Sequence, residues 1–299
     1  MNLSKLMEKF ADESKCRAYI EALRWPNGVT CPRCKAEKVY RIAERDQFVC
    51  SSCSHQFSAT AGTIFHDTHL PLVTWFLATV LICEAKKGIS ACQVQRSLGI
   101  KTYKTAWFLC HRIRRAMLET GKAKLDGVVE IDETYVGGRQ RMVGKHKAME
   151  NKQVVLGIRK RDGELRFFKI EDAKSATLAQ FIRDNVSEDV DVIMTDEWMA
   201  YPDALRRAGF SGKHSTIRHK NHVYVMGDVH TNTVESAFSL LKRGIMGTWH
   251  KISVKHLPAY LDEMTFRFNN RKNPFLFRDT ILKLIDSPNL EYKKLTAAA

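Results

Sequence analysis

The sequence predicts a mixed α/β chain: a large core of strands and helices, preceded by a small four-cysteine module and a helical region. Three observations predict it. Two CxxC pairs stand near the N-terminus, at Cys31-Pro-Arg-Cys34 and Cys50-Ser-Ser-Cys53. Residues 71–119 keep a helical period throughout. From Val128 onward the order reads strand, strand, strand, helix, strand, helix, and then a further helix from Asn232, which suits a mixed sheet covered on both faces. The chain has 299 residues, 44% of them hydrophobic, enough for one large domain and one or two small ones. Its 48 Lys and Arg against 33 Asp and Glu give a formal net charge of +15, which points to a polyanionic partner, nucleic acid before an acidic membrane surface.

Residues 1–28 read as a helical lead-in, with Cys16, Tyr19, Ile20 and Leu23 on one side. The opening decapeptide is charged and lacks the apolar stretch of a secretory signal. The longest apolar run, Leu70 to Cys83, has 14 residues and is too short to span a bilayer. A soluble, intracellular protein with reduced thiols is expected, and with it metal in place of disulfides. Within residues 29–60 fifteen residues separate the two CxxC pairs, the spacing of a four-thiolate zinc site at Cys31, Cys34, Cys50 and Cys53. Val39-Tyr-Arg and Gln47-Phe-Val form a hairpin between the pairs, turned at Glu44-Arg-Asp, so the module resembles a zinc ribbon. DNA and protein remain equally open as its contact. His55, His66 and His69 are surplus to the four thiolates and are expected at the surface or in packing.

In residues 70–120, Leu72, Trp75, Phe76, Thr79 and Val80 form the buried face of a first helix. Ile89 to Leu98, closed by Gly99, is a short helix, and Thr102 starts a longer one, Tyr103 to Met117, with Lys104, His111, Arg112, Arg114 and Arg115. Short helix, glycine turn and basic helix resemble a helix-turn-helix whose second helix enters the major groove; the alternative is a helical hairpin with a solvated basic face. Cys83, Cys92 and Cys110 are expected in the helical core. Residues 120–126 read as a linker.

The third module, residues 126–273, carries the candidate site. Asp132 stands in the strand-like Val128-Val-Glu-Ile-Asp132, and Asp196 ends the apolar run Val190 to Thr195. Glu235 and Lys242, seven apart on the helix Asn232 to Arg243, lie on one face with Ser239 between them, and Gly244 is expected to stop that helix. Three converging carboxylates would make a divalent-metal site. Glu130 and Glu133 are both read as facing away from Asp132, with Asp126 as its weaker rival. Asp196 could equally cap the next helix, and Asn232-Thr-Val-Glu235 also fits a capping box with Asn232 as N-cap. Residues 137–147 form a basic loop. Val254 to Lys272 is a helix with Arg267, Arg271 and Lys272 outward, and residues 274–299 hold a last helix, Leu276 to Ile285, expected to dock, and a tail, Leu295 to Ala299, expected to fray.

The CPRC and CSSC pairs, IDETYVGG, HTNTVESAFSLLKRG and LDEMTFRFNNRK together resemble the ISXO-like bacterial insertion-sequence transposases over about residues 10–280. The order Asp132, Asp196, Glu235, with 38 residues between the last two and Lys242 following, resembles the DDE signature of transposases and integrases. The resemblance implies a ribonuclease H-like mixed-sheet catalytic core behind an N-terminal zinc ribbon and a helix-turn-helix region. It implies magnesium or manganese held by Asp132, Asp196 and Glu235, with Lys242 on DNA phosphate, and Asn232 or His230 as further candidates beside the third acid. The function implied is binding of terminal inverted repeats, then metal-dependent strand cleavage and strand transfer to target DNA, by a homodimer or larger assembly on the chromosome in the cytoplasm. A plain metal-dependent nuclease and a catalytically silent DNA-binding regulator are the alternatives.

Overall fold

The computed structural model describes residues 3–137, 152–216 and 231–297, and the chain divides into two compact units, Met1–Leu118 with Asn270–Ala299, and Glu119–Asn269. In the first unit, helices α1 (Leu3–Lys9) and α2 (Glu13–Arg24) lead into a three-stranded antiparallel sheet of β1 (Val39–Ile42), β2 (Gln47–Cys50) and β3 (Gln56–Phe57). The hairpin turn takes Asp46 into the left-handed region, φ 50°. Trp25 packs edge to face on Phe48 and Phe57 beside the cysteines, so the module's own apolar core is only a handful of residues.

Three helices follow, α3 (Leu72–Glu84), α4 (Ala91–Leu98) and α5 (Tyr103–Met117). Their ends follow from local chemistry: Ser90 and Thr102 accept amide hydrogens from Gln93 and Thr105, and Gly99 closes α4 at φ 63°. At α3, which begins after Pro71, the Glu13 carboxylate of α2 accepts the Leu72 amide at 2.8 and 3.0 Å. The elements stand where the sequence puts them, but the basic face of α5 differs. His111, Arg112 and Arg114 are buried, and of the five basic residues only Lys104 and Arg115 are exposed. Apolar spacing drives this helix inward over its second half, and the long basic side chains go with it. Cys83 and Cys110 are buried as expected, whereas Cys92 is exposed.

The C-terminal helix docks, and the structure names the core it joins. After Asn269 the chain returns to the first unit, where α10 (Leu276–Asp286) packs against α3, α5 and α2, ahead of the short α11 (Tyr292–Thr296). Phe277 closes an aromatic cluster with Phe10, Tyr19 and Phe76. The helix Leu276–Asp286 thus completes the core of the first unit, burying Phe277, Thr280, Ile281, Leu284 and Ile285.

The second unit holds a five-stranded sheet of β4 (Leu125–Val136), β5 (Gln153–Lys160), β6 (Leu165–Ile170), β7 (Val186–Thr195) and β8 (His214–Thr216). The strand order is β6-β5-β4-β7-β8, with β5 antiparallel to both β4 and β6, and β7 parallel to β4 and β8. This mixed sheet is the ribonuclease H-like arrangement implied by the resemblance, with β8 as a strand too short to announce itself by alternation. One face packs against α6 (Ser175–Asn185) and α7 (Ala200–Ala208) through Val129, Ile131, Leu156, Ile158 and Ile193. The other packs against α8 (Asn232–Gly244) and α9 (Leu257–Asn269) through Val155, Leu165 and Phe167. The alternate residues of each strand serve the two layers.

Two local details depart from expectation. Gly244 stays right-handed and buried, and the helix runs on as a π-type turn over Ile245–Trp249 before ending at His250, φ 56°. Arg267 is not outward: it is buried in α9 and pairs with the buried Glu263 at 3.1 Å. Asn269 clamps the sheet edge, accepting the Leu165 amide at 2.8 Å and donating to its carbonyl at 2.9 Å. No helix among the described residues is long and apolar enough to cross a membrane.

Candidate active site

Asp132 lies near the C-terminal end of β4, and Asp196 directly follows β7, its parallel neighbour. Glu130 pairs with Met194 across these strands, so Asp132 and Asp196 stand two residues further along each. Adjacent carboxyl ends of parallel strands are a common place for a ligand site in such sheets. On the other side Asp132 pairs with Gly157 of β5, and directly paired residues share a face. A Cβ on Gly157 would meet Phe238 Cζ at 2.8 Å and Val234 Cγ2 at 2.9 Å. The missing side chain therefore lets α8 lie against the sheet at the position of Asp132, and Glu235, beside Val234 in the first turn of α8, is brought to the same place.

Burial pushes the Asp132 carboxyl up to about 8, helped by the charges of Glu133, Asp196 and Glu235 and opposed by the Glu133 amide, which donates to Asp132 at 2.8 Å. Among the described residues the charges acting most on Asp132 are thus other carboxylates, an arrangement that calls for a cation. All three candidates offer carboxylate oxygens, the donors a hard divalent ion such as magnesium takes, but among the described residues only the four cysteines gather their ligand atoms closely enough to hold an ion as they stand. Asp196 keeps one oxygen engaged in the turn after β7, accepting the Trp198 amide at 3.0 Å; it does not cap the next helix, whose N-cap is Met199 and takes no side-chain bond. Lys242 is exposed, two turns beyond the half-buried Glu235 on the same face of α8.

The structure corrects the reading of the flanking acids. Two-residue alternation places Glu130 on the face of Asp132, and only Glu133 on the opposite one. Glu133 accepts the Tyr201 hydroxyl of α7 at 2.6 Å. Burial raises the Glu133 carboxyl, and burial beside Glu133 holds the Tyr201 phenol well above its ordinary value. Glu130 is fully buried and accepts the amides of Thr233 and Val234 at 3.1 Å each and the Thr233 hydroxyl at 2.6 Å. Its other oxygen pairs with Arg161 at 3.1 Å. A strand carboxylate therefore caps the helix that carries Glu235, where its charge also meets the helix dipole. Arg159 binds the same turn from below, donating to the Thr233 carbonyl. The capping-box alternative does not take the predicted form: the N-cap is Thr231, not Asn232, and the Thr231 hydroxyl donates to Glu235 at 3.1 Å. Asp126 sits six residues back along β4, about 20 Å from Asp132 at strand rise, and is paired with Lys160. His230 and all but the first residue of the 137–147 loop lie outside the described residues.

In the first unit the Sγ atoms of Cys31, Cys34, Cys50 and Cys53 all lie within 4.8 Å of one another, with Cys31–Cys53 at 3.7 Å and Cys34–Cys50 at 3.5 Å. Four thiolates about 2.3 Å from a tetrahedral zinc stand about 3.8 Å apart, so the cluster fits that ion. His55 stacks on Phe57, and no histidine joins the cluster among the described residues.

Residues 124–269 match the family model of the ISXO2-like transposase domain, and residues 11–56 match that of the transposase zinc-ribbon domain. A curated relative from Halobacterium salinarum, described as an uncharacterized protein in transposable element ISH50, is 30% identical over 281 residues, 87% of this chain and 92% of its own length. The chain belongs to the ISXO2-like transposases. That relative is archaeal, so the family extends beyond the bacterial elements to which the sequence was likened. Within this transposase the second unit coincides closely with the matched catalytic domain, and the four-thiolate cluster lies inside the matched ribbon.

Proposed function

We propose that this transposase is an active enzyme: it binds the terminal inverted repeats of its element, cleaves the DNA strand at each end, and joins the freed 3′-hydroxyl to target DNA. What supports the proposal is placement: Asp132 and Asp196 stand two residues beyond a paired position on adjacent parallel strands, and Gly157, opposite Asp132, lets the first turn of α8, which carries Glu235, lie against the sheet. A protein that only binds DNA gains nothing from acids gathered without compensation beside phosphates, and this speaks against the silent regulator.

Asp132, Asp196 and Glu235 would hold the divalent ions. When bound, such a pair activates the attacking oxygen and stabilises the leaving oxygen of a phosphodiester displacement. The protein's part is positioning. Asp132 is fixed by the sheet, Asp196 by the Trp198 amide, and Glu235 by a helix that Glu130 and Arg159 tie to β4 and β5. Lys242 lies exposed on the same face and is placed to meet the phosphate backbone of an incoming strand. The exposed Lys104 and Arg115 of α5, with the net charge of +15, supply attraction for DNA in the helical region. Two ends must be processed together, so the working form is a dimer or larger.

The test is incubation of the full chain with labelled duplexes carrying its element's own ends, with Mg2+ or Mn2+. Site-specific nicks at the element boundary followed by joined products support the transposase. Cleavage without joining would favour the simple nuclease, and specific binding with neither reaction would favour the regulator.

A further inference from the structure

A cavity of about 470 Å³ opens in the helical unit between the first half of α5, the segment 67–70 and α11. The metal site does not use it. Its walls are the rings of Trp75, Phe108 and Tyr292, and two cations stand at those rings. Lys104 Nζ lies 4.3 Å from the centre of the Tyr292 ring, which meets Phe108 edge-on at 5.3 Å. The Arg112 guanidinium lies 5.0 Å from Trp75 and 5.3 Å from Phe108. Arg112 is only 4% exposed; one of its amino groups donates to the His66 carbonyl at 2.6 Å and to Asn289 at 3.1 Å, while its Nε has no acceptor. A buried guanidinium N–H left without a partner is uncommon, and its residue lines an open, aromatic-walled space of the size that holds an organic ligand.

We propose that this cavity receives a single nucleobase unstacked from the DNA that α5 contacts. The proposal rests on the DNA-binding reading of the helical region given above. A base has a π-face for the Phe108 and Tyr292 rings and acceptor atoms on its edge for Arg112, and it arrives joined to phosphates that suit the exposed Lys104. Asp67, also lining the cavity, offers a carboxylate to an exocyclic amino group. Lys104 stands in the first turn of α5, the end of a recognition helix that reaches base edges, so the cavity mouth lies where DNA would pass.

The experiment uses the full chain and duplexes of its element's terminal sequence, each with one base replaced by 2-aminopurine, scanned position by position. Base emission reports unstacking, and anisotropy of a distant fluorescein reports binding. The proposal expects one position where emission changes on binding. A mismatch there, which lowers the cost of unstacking, should tighten binding. Tyr292→Ala and Phe108→Ala should each abolish that change and weaken end binding by about tenfold, while anisotropy still detects binding to unrelated duplex. Tyr292 sits on a short terminal helix, so its variant keeps the test valid if Phe108→Ala misfolds. Binding with no emission change at any position overturns the cavity proposal and leaves the DNA-binding reading standing. A change that persists in Tyr292→Ala also overturns it. If no specific binding to the ends is seen at all, both readings fall.

Discussion

At the scale of single residues, the second unit turns on which side of β4 each acid faces. Asp132 stood out in the sequence as one acid in an apolar strand, and spacing and resemblance proposed Asp196 and Glu235 as its partners. Glu130 was not read correctly, although the signal was available: it is two residues from Asp132, and a strand alternates with a period of two. What no sequence pattern gives is its partner, since the amides of Thr233 and Val234 lie about a hundred residues away in the chain. Glu130→Ala removes the helix cap and leaves Arg161 facing a buried gap. Losing one member of a buried pair costs about 3–5 kcal/mol. Thermal unfolding of the variant should show a corresponding fall in stability, and Glu130→Gln, which keeps an acceptor for the amides, should lose less. Equal stability of Glu130→Ala and wild type would show that the cap does not hold α8.

Between elements, the contact that matters most is α8 on β5. The helix itself was legible from the apolar spacing of Ala237, Phe238, Leu240, Leu241 and Ile245, of which Ala237, Phe238 and Leu241 are buried and Leu240 and Ile245 half-buried. Its end was not, because Gly244 suggested a stop and the chain instead continues as a π-type turn. Gly157, the residue that sets how closely the helix lies, carries only a weak signal: a glycine within a strand marks close backbone approach without saying to what. Gly157→Ala would place a methyl 2.8 Å from Phe238 and 2.9 Å from Val234. Overpacking of this kind costs about 1–3 kcal/mol. The expected outcome is a modest loss of stability, seen by denaturant titration, with a larger loss of cleavage rate, because Glu235 rides on the displaced turn. Restoration of cleavage by Phe238→Leu in the same chain would trace the loss to that contact. The basic face of α5 shows the opposite limit: residue type suggested solvent or DNA, but the position of Arg112 and Arg114 on the buried side of the helix decided otherwise.

Across the whole molecule, the modules were readable from the order of motifs, but the path of the chain was not. A terminal amphipathic helix does not say which core it joins. Residues 270–299 return to the N-terminal unit, where Phe277, Ile281 and Leu284 are buried against helices more than 150 positions earlier in the sequence. Each such side chain contributes about 1.5–3 kcal/mol by burial. Removing residues 270–299 should therefore destabilise the N-terminal unit in particular, and limited proteolysis should cut first within residues 1–118. Unchanged protection there would mean that α10 contributes little to that core.

The central claim is that Asp132, Asp196 and Glu235 act together on divalent metal, and the most direct test is Glu235→Gln in the cleavage and joining assay. Glutamine keeps the length and hydrogen-bonding capacity of the side chain, including an acceptor for the Thr231 hydroxyl, but removes the charge a metal ligand needs. The account predicts a folded variant that binds the element's ends, with cleavage reduced by about a hundredfold or more, equivalent to about 2.7 kcal/mol or more of barrier. Cleavage and joining at the wild-type rate would contradict it, and would make Glu235 a partner of Thr231 in the helix start alone.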